Sequence, residues 1–152
     1  MVRPVYSLVV RLGAQTASSL RSLAQDEPIE LVVSGPCMTP YLEDGDRVQV
    51  SHRRVYKPGD IVAFRRQEDE RLLVHRVLGY TLSLDGLKLL AKGDRISRED
   101  EPVDLHAVVG RVVSRGGRLI EHSTPERWRS LLGYLRVLLR RSVAPWLSAI
   151  SS

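Results

Sequence analysis

Ser34-Gly35-Pro36-Cys37-Met38-Thr39-Pro40-Tyr41-Leu42-Glu43-Asp44-Gly45-Asp46 is the stretch on which the reading of this chain turns. The run before it, Ile29–Ser34, is rich in Val, Ile and Leu and has the length of a strand. Gly35-Pro36 then makes a sharp corner, and the next side chain, Cys37, can attack carbonyl carbon. A corner after a strand holds a nucleophile away from the sheet, with backbone N–H groups near enough to stabilise an oxyanion. Asp44-Gly45-Asp46 turns the chain into the next apolar run.

Outward from this stretch the same alternation of short strand and turn continues. Arg47–Ser51, Asp60–Arg66, Leu72–Tyr80, Leu87–Lys92 and Ala107–Ser114 read as strands, with Arg118–Glu121 as one more short piece. Pro58-Gly59-Asp60, Asp85-Gly86, Gly93-Asp94 and Gly116-Gly117 punctuate them. No helical window falls between these strands, so the pattern predicts a mainly β, antiparallel domain over residues 29–121. An amphipathic helix is expected at each end. In residues 1–28, Pro4 suits a first turn, and Leu8, Leu12, Thr16, Leu20 and Leu23 recur at helical spacing over 4–25 before Asp26-Glu27-Pro28. In residues 122–152, Thr124-Pro125-Glu126 reads as a helix start. Trp128, Leu131, Leu132, Leu135, Leu138 and Leu139 then form one face, with arginines beside it.

Composition bounds the possibilities. The 152 residues, 43% hydrophobic and 27% charged, fit one globular domain with appended helices. With a single cysteine, neither an intramolecular disulfide nor a cysteine-based zinc site can form, and no metal or other cofactor is expected. The net charge of +5 comes almost wholly from residues 111–152, where eight Arg face two acids. Such an excess attracts phosphate-bearing partners. Nucleic acid ranks below a membrane surface, because no base-reading motif accompanies the charge. No stretch reads as a secretory signal or a membrane span: Arg11 breaks the early apolar run, and Arg136, Arg140, Arg141 and Pro145 interrupt the late one. The expected setting is cytoplasmic, and two readings of residues 124–152 stand level: a helix packed on the domain with its arginines in water, or one resting its apolar face on a membrane surface.

The Cys37 stretch resembles the nucleophile box of the signal peptidase I and LexA-like peptidase superfamily. Gly35, Met38, Pro40, Leu42, Gly45 and Asp46 match the box, and Cys37 stands where that family has serine. Lys57-Pro58-Gly59-Asp60-Ile61-Val62-Ala63-Phe64 is similar to the family's Gly-Asp-Ile-Val strand. Val74-His75-Arg76-Val77-Leu78 resembles the histidine segment of the archaeal and endoplasmic-reticulum signal peptidases. Lys92-Gly93-Asp94 and Val108-Val109-Gly110-Arg111-Val112 resemble the later turn and the closing strand. The resemblance covers about residues 30–114, and several ordered motifs are more specific than any one.

It implies a LexA/signal-peptidase-like fold and hydrolysis of a peptide bond in a peptide or protein. Cys37 would attack, His75 would carry the proton, and Asp100 would orient the imidazole. Gly35, Pro36, Met38 and Pro40 would line the substrate. Arg95 and Ile96 replace the asparagines usual after the Lys-Gly-Asp turn, so Glu99 and Asp94 stay open as alternative acids. The thiol is compatible with a cysteine peptidase, with an enzyme weakened by the change, and with a substitution made to trap substrate. The membrane anchor of signal peptidases and the DNA-binding helices of the repressors are not found in these residues.

Plainer roles stand beside these. A lone cysteine is most often a small buried hydrophobe, but a Gly-Pro corner between polar residues is a poor core site. His75, sharing a strand face with Leu73 and Val77, could be a packed core histidine. His52, His106 and His122 read as surface or structural residues, and Asp46 and Asp60 as turn formers. Two other functions compete with peptidase: a peptide-binding module without turnover, and a membrane-surface protein whose C-terminal helix is the working part.

Overall fold

A computed structural model describes residues 5–7, 11–121 and 124–150; of residues 5–7, 124 and 142–150 only the backbone is described. The elements are β1 (Val5–Ser7), α1 (Ala14–Asp26), β2 (Ile29–Val32), β3 (Arg47–Ser51), β4 (Ile61–Arg65), β5 (Leu72–Ser83), β6 (Gly86–Lys92), β7 (Val103–Asp104), β8 (Val108–Arg115), β9 (Arg118–Leu119) and α2 (Thr124–Ile150), with a 3-10 turn at Leu105–Ala107. The strands form one sheet in the order β1-β2-β3-β8-β4-β5-β6-β7, with β9 paired to β8. All pairings are antiparallel except β1 with β2. The domain is mainly β with two helices, as the strand and turn pattern predicts.

Alternation along the strands divides the core. Ile61 and Ala63 of β4 enter a cluster with Leu31, Met38, Leu42, Val48, Val50, Val74 and Val112, which α1 covers through Leu20 and Ala24. Val62 and Phe64 point the other way, into a cluster with Tyr56, Val77, Leu89, Ala91 and Val108. The central strand is therefore apolar on both faces, because both are covered. Together the two layers remove about a dozen large side chains from water, at about 1.5–3 kcal/mol each before entropy is counted.

The helix expected over 4–25 needs correction. It begins at Ala14, and Val5–Ser7 run as a strand parallel to β2, with Tyr6 opposite Leu31. Pro4 and Leu8 lie outside the described residues. Gly13 is the N-cap of α1, and β-branched Val5 suits the ladder that the edge of β2 offers. Periodicity alone does not weigh a tertiary partner of that kind. The two-residue β7 and the 3-10 turn also escaped the strand pattern, being too short for a period.

The other terminal helix starts at Thr124 as expected but buries a different side. Ser130 and Val137 are buried, whereas Trp128, Leu132, Leu135 and Leu139 are exposed, Trp128 at 61%. Contact with the sheet runs through Val137 against Leu78 and Leu90, and through Tyr134, whose hydroxyl donates to the Tyr80 carbonyl at 2.6 Å. Gly79 makes room for the ring: a Cβ there would lie 2.7 Å from Tyr134. Arg127 secures the first turn, at 3.6 Å from the buried carboxylate of Asp60.

Candidate active site

The Cys37 corner is built from glycine and aspartate. Gly35 has φ +86°, a left-handed conformation that costs glycine nothing, and its N–H donates to Asp44 Oδ1 at 2.8 Å. Asp46 accepts from the Glu43 N–H at 2.7 Å, and Gly45 N–H donates to the Val33 carbonyl at 2.9 Å. Met38 and Leu42 are fully buried and nail the loop into the α1-side core, leaving Cys37 half-buried at its crest. The Thr39–Pro40 peptide is cis. The turn-forming roles read for Asp46 and Asp60 hold: Asp60 Oδ2 accepts from the Lys57 N–H at 2.8 Å.

His75 sits mid-β5, opposite Val62, and is 2% exposed. Its ring meets Phe64 edge to face, with centroids 5.9 Å apart. Nδ1 donates to Asp100 Oδ2 at 2.6 Å. Cys37 also acts on the His75 ring and favours its charged form. Burial opposes charge on this imidazole, but the bonds and negative charge of Asp100 and Cys37 outweigh it and raise its pKa to about 9. The sheet therefore brings Cys37, His75 and Asp100 into one line of contacts.

The two alternative acids are committed elsewhere. Asp94 takes the Arg76 guanidinium in two bonds of 2.8 Å, and Glu99 pairs with Arg140 of α2 at 3.1 Å. Asp100 is positioned by its own backbone, whose N–H donates to the Ala91 carbonyl at 2.9 Å. The departures at Arg95 and Ile96 are accommodated because the turn acts through its main chain. Arg95 N–H donates to the Cys37 carbonyl at 3.0 Å, and a Cβ on Gly93 would stand 3.0 Å from that same oxygen.

Of the residues expected to line substrate, Pro36 and Pro40 are exposed and Gly35 is partly so, but the Met38 side chain is wholly in the core. Methionine at this place anchors the loop. A cavity of about 680 Å³ opens beside the loop, between Pro40 and Tyr41 on one wall and Ser130 and Val137 of α2 on the other. Neither Cys37 nor His75 lines it.

Arg76 is the supporting residue that sequence reading missed. It is 9% exposed, bonds Asp94 and the Gly59 carbonyl (3.1 Å), and lies over the Tyr41 ring at 4.9 Å, so it ties the Cys37 loop to the Lys92-Gly93-Asp94 turn. Its signal was adjacency: on a strand the neighbour of His75 faces the opposite side. His52 Nδ1 lies 3.3 Å from the Val109 carbonyl and His106 accepts from Arg21 at 3.2 Å, both away from Cys37. His122 is outside the described residues.

No family model matches the chain. Two relatives do: the signal peptidase complex catalytic subunits SEC11 of Metarhizium acridum and of Metarhizium robertsii. Each is 30% identical over 138 residues, spanning 85% of this chain and 73% of the relative. The chain belongs to the signal peptidase family. Its sheet is thus a signal-peptidase-like peptidase scaffold, and the loop carrying Cys37 lies within it. No helix among the described residues of this signal peptidase relative is long and apolar enough to cross a membrane.

Proposed function

We propose that this chain hydrolyses peptide bonds in a peptide or protein substrate, with Cys37 as nucleophile, His75 as proton carrier and Asp100 as the acid that orients it. The observation that carries the reading is the buried imidazole held between the carboxylate and the thiol, protonated at neutral pH by the raised pKa of about 9. A preformed imidazolium suits sulfur. The thiolate attacks the scissile carbonyl carbon, and the Nε2 proton passes to the departing amine, which leaves a thioester. Neutral His75 then takes a proton from water as its oxygen attacks the thioester, and the sulfur departs as thiolate when the acid product forms, which leaves His75 protonated as at the start. Asp100 keeps Nδ1–H in place, so Nε2 faces the reaction throughout. The N–H groups of Cys37 and Met38 are the candidate oxyanion donors, since the Gly35 N–H is taken by Asp44 and Pro36 has none.

Incubation with a peptide library tests this, run with the native chain and with Cys37→Ser and Cys37→Ala. Cleavage by the native chain that Cys37→Ala abolishes is the expected result. Stoichiometric peptide binding without cleavage by the native chain and by Cys37→Ser would instead leave a binding module. Cleavage gained only in Cys37→Ser would make this a serine peptidase scaffold with a secondary thiol.

A second role attaches to α2. Its exposed Trp128, Leu132, Leu135 and Leu139, with arginines on the same helix, favour seating on an anionic membrane surface.

A further inference from the structure

Two strand edges frame the site, and both lack a partner from the rest of the sheet among the described residues. β2 pairs with β3 along one edge only, and it leads into the Cys37 corner five residues after Val32. β5 pairs with β4 from Leu72 to Arg76, but its ladder with β6 begins only at Arg76. The outer edge of the residues that lead to His75 is therefore not covered by β6. Unpaired strand edges accept an extended peptide by adding it as a strand, which satisfies their free N–H and C=O groups. Edges that run to the nucleophile on one side and to the base on the other make the natural slot for a peptide to be cut.

The chain's own N-terminus already uses both edges. Val5–Ser7 lie parallel to β2, with Ser7 beside Val32. Four residues later Arg11 bridges Arg71 in antiparallel fashion, just before β5. The next residue is firmly anchored: Leu12 N–H donates to the Glu70 carbonyl at 2.8 Å, its carbonyl accepts from Arg65 Nε at 2.6 Å, and its side chain is buried in the α1-side core.

We propose that β1 and Arg11 hold the peptide slot of this protein in cis, so that substrate gains its strand positions only by displacing the chain's own N-terminal strand. This rests on the peptidase reading for the meaning of the slot, but the occupancy itself is a statement about binding. Anchored at Leu12, the strand competes at the high effective concentration of a tethered ligand, in the millimolar range. Release requires breaking the short β1 ladder and the Arg11 bridge, while the buried Leu12 side chain stays in place.

The test uses the full chain carrying Cys37→Ala to prevent turnover. The probe is a fluorescent synthetic peptide with the sequence of residues 2–12. Adjacent strands lie within disulfide reach, so Ser7→Cys with Val32→Cys allows β1 to be locked by oxidation and freed by reduction. The oxidised form is expected to bind the probe at least about tenfold more weakly than the same protein reduced. Equal affinities, or failure of the pair to close, would overturn the proposal. Independently, Tyr6→Pro with Ser7→Pro removes ladder donors and is expected to tighten probe binding about tenfold over the parent. An unchanged affinity in a variant with the parent's melting temperature counts against it, and if that variant does not fold, the disulfide pair decides.

Restoring Cys37 in the locked and unlocked chains separates the two readings. Peptide binding that follows the lock, without any cleavage, sinks the peptidase function and leaves the slot. Cleavage whose kcat/KM ignores the lock sinks the slot and leaves the peptidase.

Discussion

At the scale of residues, the Cys37–His75–Asp100 line depends on a proton that burial alone would remove. His75 holds it to about pH 9 only because Asp100 and Cys37 face it. Folded His75 thus binds its proton more tightly than in the unfolded chain, where imidazole titrates near 6.5. Its contribution to stability is complete below about pH 6.5 and is lost as pH rises through about 9, on the order of 3 kcal/mol at most. Melting temperatures measured across that window should fall with rising pH, and Asp100→Asn should flatten the slope. The same variant should lower the rate of iodoacetamide capture at Cys37. Gly93→Ala probes the neighbouring turn. Its methyl would press on the Cys37 carbonyl at 3.0 Å, so we expect about 1–3 kcal/mol of destabilisation in denaturant melts. Slower alkylation of Cys37 should accompany it. Sequence reading proposed Cys37, His75 and Asp100 as candidates through a resemblance. It could not choose Asp100 over Glu99 and Asp94, because the choice is made by Arg140 and Arg76, which lie 41 and 18 residues away from those acids.

At the scale of elements, β5 performs two tasks on its two faces. His75 faces Asp100 and Cys37, while Arg76 braces the Lys92-Gly93-Asp94 turn, and further along Gly79 receives α2. Gly79→Ala would place a methyl 2.7 Å from the Tyr134 ring and push the helix off the strand. Hydrogen exchange should then show α2 amides opening faster, by about 1–3 kcal/mol, with β4 and β8 protected as before. The strands and their turns were legible because a covered sheet imposes long apolar runs and turns demand Gly, Asp and Pro. β1 was not, because three residues of strand carry no readable period. The buried face of α2 was not either, since small and polar residues, Ser130 and Gly133 with Tyr134, do the packing while the larger apolar ones face out.

At the scale of the whole molecule, charge and exposed apolar surface coincide on α2. Replacing Trp128, Leu132 and Leu135 together by Ser should reduce flotation with anionic liposomes by about tenfold or more, given about 1.5–3 kcal/mol for each large side chain removed. Because these residues are exposed, the melting temperature should stay within a degree or two; an equal drop in stability would mean that the face packs internally. What the sequence determined by itself was local: where strands end, where the chain corners, which residue types can attack or carry a proton. Those properties are written in near neighbours through steric preference and side-chain chemistry. What only the tertiary structure decided was pairing at a distance. It chose which acid reaches His75, which face of α2 meets the sheet, and which edge the N-terminal strand takes. Such choices depend on hydrogen bonds and packing between residues far apart in the chain, and no local pattern encodes them.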